Sequence, residues 1–383
     1  MRACLFGTYD RAHSANRLLR LALTGAGFEV VELHEPLWEE RRYKEGGYFR
    51  SASLASLGAR YVAAARRLAT RWRALGGPPP LVVTGFGGQL DVLLARQICR
   101  PRAGLVFAPL VSLSETLVDD RRVFAAGGLK ARAVRALDRA TLRAPDLVLA
   151  DTAAHAAYLV ELGAPAARVA AWHLGVEPEF LPAQVTSPVP RRVLFYGRYL
   201  PLHGIDTIVT AATRLAEPAE IVLIGGGPER SRIEATVRAS GASITLRDEI
   251  PLAALPAELA AASIVLGVFG EGRKAAMVVP NKVYQAAAAG RPLVTRDGPA
   301  LREVLTPDEH CLACAPGDPD ALAGAIDRLL TDPALAARLG RAARAHVLER
   351  FSPERQAARL RVLLADRLGV VPSATPSRRV ADG

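Results

Sequence analysis

The chain is poor in cysteine and in aromatic residues, and it lacks any hydrophobic run long enough to cross a bilayer. Its four cysteines, Cys4, Cys99, Cys311 and Cys314, are too few and too irregular across 383 residues to form a disulfide framework. His310, Cys311 and Cys314 contain one C-x-x-C. No second pair accompanies it to complete a zinc set of about four ligands, so "CLACAPGD" reads as a short buried strand entering a turn. Aromatic residues are 5% of the chain, and neither an RNA-binding aromatic strand nor a zinc finger nor a basic tail is present. Nucleic acid is therefore disfavoured as a partner, although the net charge is +11. The opening "MRACLFGTYD" turns polar too soon for a secretory signal, which predicts a cytoplasmic protein.

Half of the residues are hydrophobic, and the length suits two α/β domains better than one. "ACLF", a polar loop, a helix from about Asn16 to Thr24 and the strand "FEVVELH" open the chain as strand, helix, strand, the pattern of a doubly wound sheet. Its first loop faces the ligand side in such folds and makes Thr8, Tyr9, Asp10, His13 and Arg17 candidates for substrate contact. Strands follow at Leu81–Thr84 and Leu105–Phe107. Beyond the second, "VSLSETLVDDR" places Glu115 and Asp119 where a carboxylate would orient an acceptor hydroxyl, or cap a helix. "DLVLADT" is a further strand before a helix from Ala154, and "RVAAWHLG" a last one reaching Gly175.

Leu57, Tyr61, Ala64, Leu68, Trp72 and Leu75 recur at helical spacing, with Arg60, Arg66, Arg67, Arg71 and Arg73 mostly off that stripe. Arg132, Arg135, Arg139 and Arg143 repeat the arrangement on a second helix. Such faces suit an anionic membrane surface at the inner side of the membrane, or simply a solvated face. Proline-rich, aperiodic sequence then marks an interdomain linker at 181–190, after a first domain spanning 1–180. A second Rossmann-like count runs over 191–351, a further helix over 352–370, and a disordered tail over 371–383. The turn "GGGPER" is no dinucleotide fingerprint, because Arg230 stands where the final glycine belongs.

The stretch from Ser263 to Gly298 is a strand, a charged loop, a helix opening at Pro280 and closing at Gly290, and a strand. The first N–H groups of that helix, at Asn281 and Lys282, with Lys274 nearby, suit an anionic group such as a diphosphate.

"FYGRYLPLHGIDTIVTAATRL", "VLIGGGPERSRIE", "PNKVYQAAAAGRPLV" and "CLACAPGDPDALAGAIDRLL", in this order and spacing, resemble the family 4 glycosyltransferases over most of the chain. The resemblance implies an α/β, GT-B fold: two Rossmann-like domains facing across a cleft, the last helix packing back on the N-terminal domain. It implies a retaining transfer of a sugar from a nucleoside diphosphate sugar to an acceptor hydroxyl, lipid-linked or on a polysaccharide, without cofactor or metal. Arg198, His203, Glu271 and Asp119 are its catalytic candidates; Gly7, Gly204, Gly226, Lys274, Asn281, Lys282 and Gln285 those for the donor; Tyr9, His13, Arg17 and Glu115 those for the acceptor. The chain departs from the pattern at His203, where the family has lysine, and at its two glutamates eight positions apart, here Met277 and Gln285. These departures keep two other readings open, a nucleotide-sugar epimerase and a non-catalytic module binding nucleotide sugar or anionic lipid.

Overall fold

The computed structural model describes residues 1–37, 51–99, 103–182 and 188–372. The apolar runs form two sheets. The first holds β1 (Arg2–Gly7), β2 (Glu29–His34), β3 (Leu81–Thr84), β4 (Gly104–Phe107), β5 (Leu147–Ala150) and β6 (Val169–Ala171) in the order β2-β1-β3-β4-β5-β6. The second holds β7 (Arg192–Tyr196), β8 (Glu220–Ile224), β9 (Ile244–Arg247), β10 (Ile264–Leu266), β11 (Leu293–Arg296) and β12 (Leu312–Cys314) in the order β12-β11-β10-β7-β8-β9. Every pairing in both is parallel. Strands buried on both faces need apolar residues at every position, which is why "LVVT" and "LVLA" read as continuous runs.

Around the first sheet lie α1 (Ser14–Gly25), α2 (Ser51–Arg73), α3 (Gln89–Cys99), a π-helical turn at Glu115–Asp120, α4 (Leu129–Arg143) and α5 (Ala153–Glu161). Cys4, Phe6, Val82 and Phe107 pack on one face with Leu68 and Trp72 of α2. Leu5, Leu81, Val83 and Leu149 pack on the other with Leu18, Leu19 and Leu23 of α1. The second sheet carries α6 (Ile205–Ala212), α7 (Arg230–Ser240), α8 (Leu255–Ala261), α9 (Arg273–Met277), α10 (Asn281–Ala288), α11 (Pro299–Val304), α12 (Pro319–Thr331) and α13 (Pro333–Phe351). Ser352 caps α14 (Pro353–Leu368), whose Leu360 and Leu364 return to the α1 face of the first sheet. The Trp172 indole N–H donates to the Gln356 carbonyl of the same helix at 3.1 Å.

The strand expected to reach Gly175 stops at Ala171. Its continuation leaves the sheet and Val176 N–H bonds the Phe351 carbonyl at the junction of α13 and α14. Gly175, at φ +81°, sits so close to that carbonyl that a Cβ would fall 2.5 Å from it. Phe180 is already in the core of the second sheet, so the chain crosses before the expected linker; residues 183–187 of that linker and the expected tail beyond 372 lie outside the described residues. Cys311 and Cys314 are buried, and burial pushes both thiols up to about 12, as a short core strand requires rather than a metal or redox pair. No helix among the described residues is long and apolar enough to cross a membrane.

Candidate active site in the cleft between the sheets

The C-terminal strand ends of both sheets open onto one cavity of about 700 Å³, the place where parallel α/β sheets bind ligands. Asp10 and His13 follow β1, Phe86 follows β3, Leu110 follows β4 and Asp151 follows β5. Opposite them stand Tyr196 at the end of β7 with Gly197 and Arg198 just beyond it, Ile224 and Gly225 at the end of β8, and Glu249 after β9.

The C-terminal wall is strongly basic. Lys282 is in the first turn of α10 and 5% exposed, and its ammonium makes no hydrogen bond among the described residues. It lies 3.7 Å from the Phe195 ring centroid, directly beneath Gly197 of the cavity wall, where a Cβ would come within 3.2 Å of it. Burial holds its pKa well below the ordinary lysine value. His203 lies beside it, and its Nδ1 hydrogen donates to the Arg198 carbonyl, which leaves Nε2 as the acceptor. Burial, with Lys282 adding to it, drives its pKa well below 6.5, so the ring is neutral. The short helix α9 before α10 brings in Lys274, which donates to Thr116 Oγ1 of the opposite wall at 3.2 Å. Gly204 ends the turn that carries His203 in the left-handed region, at φ +61°.

Six of the expected site residues line the cavity: Asp10, His13, Arg198, His203, Lys274 and Asn281. The structure places the others differently. Tyr9 is 1% exposed and its hydroxyl donates to Glu32, so it faces the core of the first sheet and not an acceptor. Arg17 is paired with Glu179 and, at 3.6 Å, Glu177. Gly7 backs onto Asp91, whose carboxylate a Cβ would meet at 2.3 Å. Glu115 is buried beneath the wall, and Asp119 accepts from the Tyr158 hydroxyl at 3.4 Å. Glu271 is packed against Gly317 outside the cavity, and Gly225 rather than Gly226 forms the wall at the end of β8. Gln285 points away from the cavity: it accepts from the Tyr196 hydroxyl at 2.8 Å and donates to Glu177. Met277 is packed in the hydrophobic cluster of the first sheet.

Sequence reasoning missed Asp151, Thr116, Arg121 and Glu249 on the cavity wall. For Asp151 a signal exists. In "DTAAH", Asp151 and His155 are four residues apart at a strand-to-helix junction, a spacing that brings carboxylate and imidazole together across one turn.

Two parallel sheets facing across a ligand cleft, with α14 returned to the first, define the GT-B architecture, and solved structures share it. Sucrose-phosphate synthase from Thermosynechococcus elongatus superposes with a TM-score of 0.73 at 21% identity, over 96% of this chain and 98% of that one. HepE from Anabaena, in complex with UDP-glucose, gives 0.71 at 14% identity over 96% and 100%. Residues 190–332 match the family model of the glycosyl transferases group 1. Glycogen synthase from Mycobacterium tuberculosis is 43% identical over 67 residues, 18% of this chain and 16% of that protein, so the likeness spans about one sixth of the relative's length.

Proposed function

We propose that the chain is a retaining, family 4-type hexosyltransferase, which moves a sugar from a nucleoside diphosphate sugar to an acceptor hydroxyl. The observation that carries this reading is the buried Lys282 ammonium without a hydrogen-bond partner among the described residues, under a cavity wall shared with His203, Arg198 and the start of α10. An uncompensated buried cation is unfavourable by itself and calls for an anion. A diphosphate fits: Asn281 and Lys282 offer N–H groups at the helix start, and Arg198 a forked donor. As the glycosidic bond breaks, negative charge gathers on the diphosphate, and Arg198 and Lys282 neutralise it in the role a divalent metal plays elsewhere. His203 in its neutral form contributes an Nε2 acceptor, and protonates when the diphosphate arrives beside it. Ile224, Ile250 and Leu252 give the nucleoside an apolar seat, and the HepE complexes with UDP and UDP-glucose favour uridine there.

His13 and the first-sheet wall take the acceptor. A lipid-linked acceptor is favoured by the exposed Val123 and Leu129 beside Lys130 and Arg132, an apolar and basic edge just beyond Arg121 of the cavity. The face of α2 contributes less, since Arg67 and Arg71 are both paired with Glu35. Salt-sensitive sedimentation with anionic liposomes tests this edge, and its absence rules the edge out.

Thermal stabilisation by UDP, GDP, ADP and dTDP, with and without magnesium, identifies the donor; a shift independent of magnesium is expected. Arg198→Ala is then expected to lower turnover at least about 100-fold, the scale of losing one charge-stabilising donor. Unchanged turnover would remove Arg198 from the chemistry. An epimerase would release isomerised donor without acceptor, and a binding module would show the shift with no turnover.

A further inference from the structure

The first-sheet wall of the cavity carries a pair of rings that donor binding does not use. His13, after β1, and Phe86, after β3, both line the cavity, and their ring centroids stand 4.1 Å apart with the planes inclined by 33°. Phe86 lies in "GFGGQ", a glycine-rich turn that stays loose unless something holds it. Asn16 of α1 does so. Its buried amide accepts from the Phe86 N–H at 2.8 Å and donates to the Phe86 carbonyl at 3.2 Å and to the Asp10 carbonyl at 2.9 Å. Gly85 admits this contact, since a Cβ there would fall 2.2 Å from Asn16 Oδ1. His13 is fixed as the N-cap of α1, where Nδ1 accepts from the Ala15 N–H at 3.3 Å. One side-chain amide and one cap thus tie two loops together and set both rings on the wall.

Two carboxylates share that wall. Asp10 Oδ1 accepts from the Ala12 N–H at 3.0 Å, and Asp151 Oδ1 stands 2.6 Å from His155 Nδ1 of α5, so each side chain is oriented through one oxygen while it lines the cavity. Leu110 and Leu174 add apolar surface. Carboxylate oxygens accept hydrogen bonds, and an aromatic face attracts polarised C–H groups. A pyranose answers both, because it carries C–H groups on the faces of its ring and hydroxyl donors around its rim. An acyl chain would suit the rings but leave the carboxylates without partners against apolar surface. A phosphorylated group is disfavoured beside two carboxylates, and Arg17 of α1 is already paired with Glu179 and Glu177.

We propose that the ring pair is the acceptor subsite and that the acceptor hydroxyl belongs to an uncharged pyranose, which rests on Phe86 and His13 and donates from its rim to Asp10 and Asp151. The inference rests on the transferase reading of the same cavity and names the chemical class of its acceptor. The sugar is either a unit of a saccharide or the head of a lipid, and the subsite recognises both alike.

Saturation-transfer NMR on the full chain, with the nucleoside diphosphate that gives the largest thermal shift, tests this assignment. The probes are the methyl and octyl pyranosides of glucose, galactose, mannose and N-acetylglucosamine, with glycerol as a polyol that has no ring face. Saturation of ring C–H groups is expected for at least one sugar and not for glycerol. Equal affinity of its methyl and octyl forms identifies a saccharide acceptor, and tighter binding of the octyl form a lipid-linked one. Phe86→Ala is expected to weaken binding about fivefold or more, the scale of one aromatic stacking contact, while Phe86→Tyr retains it and the nucleotide thermal shift is kept. His13→Ser removes the second ring but leaves a capping side chain, and is expected to weaken binding as well. Wild-type protein that shows the nucleotide shift but binds no pyranoside, glycerol saturated as strongly as the sugars, or binding unmoved by both ring variants overturns the acceptor assignment and leaves the transferase reading standing. Protein stabilised by none of the four nucleotides overturns the transferase reading, and the acceptor assignment with it.

Discussion

Lys282 shows how one residue trades stability for binding. Its ammonium is buried without a hydrogen-bond partner among the described residues, and its folded pKa lies well below 10.5. The unfolded chain therefore binds more protons at this position at pH values below 10.5, and the protein without ligand gains stability from this group as pH rises toward that value. Lys282→Met is expected to stabilise the unliganded protein by about 1–3 kcal/mol at neutral pH, to remove that rise, and to abolish the thermal shift by nucleoside diphosphates. Thermal unfolding between pH 7 and 10, with and without nucleotide, reads all three; a variant that is less stable and still binds would show that the ammonium has another partner. The residue itself was legible, because a lysine after Pro280 at a helix start has one obvious use. Gln285, three residues on, was not. Which way a side chain on a buried helix faces depends on what packs against it, and Tyr196 and Glu177 claim this one.

At the scale of elements, the strands were readable because parallel, doubly covered strands demand apolar runs, and the helices because caps and periodicity frame them. The π-helical turn at Glu115–Asp120 was not, since nothing in "ETLVDD" distinguishes it from a loop; the Leu113 and Ser114 N–H groups that precede it are held by the buried Asp138 of α4, a contact between segments far apart in sequence. The turn from Pro201 to Gly204 sets the height of His203 above the cavity. A Cβ on Gly204 would lie 2.5 Å from the Phe269 carbonyl carbon and 2.6 Å from the Gly270 nitrogen, and the left-handed backbone would be strained as well. Gly204→Ala is expected to cost about 2–5 kcal/mol, summing the left-handed penalty with that of overpacking. It should also weaken nucleotide binding, because the turn must shift and carry His203 with it. A denaturant titration and a nucleotide thermal shift check the two effects; full stability in the variant would mean that the loop at Phe269 yields freely.

For the whole molecule, two similar sheets were legible as two counts of strand and helix, but how they meet was not, because single side chains make the junction. Glu303 of the second half accepts from the Ala153 and Ala154 N–H groups at 2.7 and 2.9 Å, so it serves the start of a helix in the first half, and it pairs with His173 at 3.1 Å. Next to it the Thr152 hydroxyl donates to the Met277 carbonyl, a second link in the same seam. Burial opposes the charge on Glu303, but the hydrogen bonds from His173, Ala153 and Ala154 outweigh it and its pKa is lowered from 4.5. The link is therefore fully present above pH 4.5 and is lost as pH falls through the lower folded value. Glu303→Ala removes a helix-start acceptor worth about 0.5–2 kcal/mol and leaves two N–H groups at the seam unmet. The expected outcome is a larger radius of gyration by X-ray scattering at pH 7, approaching that of the unsubstituted protein at a pH below the Glu303 transition. Each half should keep its own secondary structure, because Glu303 lies in neither sheet. A variant with an unchanged radius would mean that α14, returned across α1 with Leu360 and Leu364 in the first core, holds the two halves closed by itself.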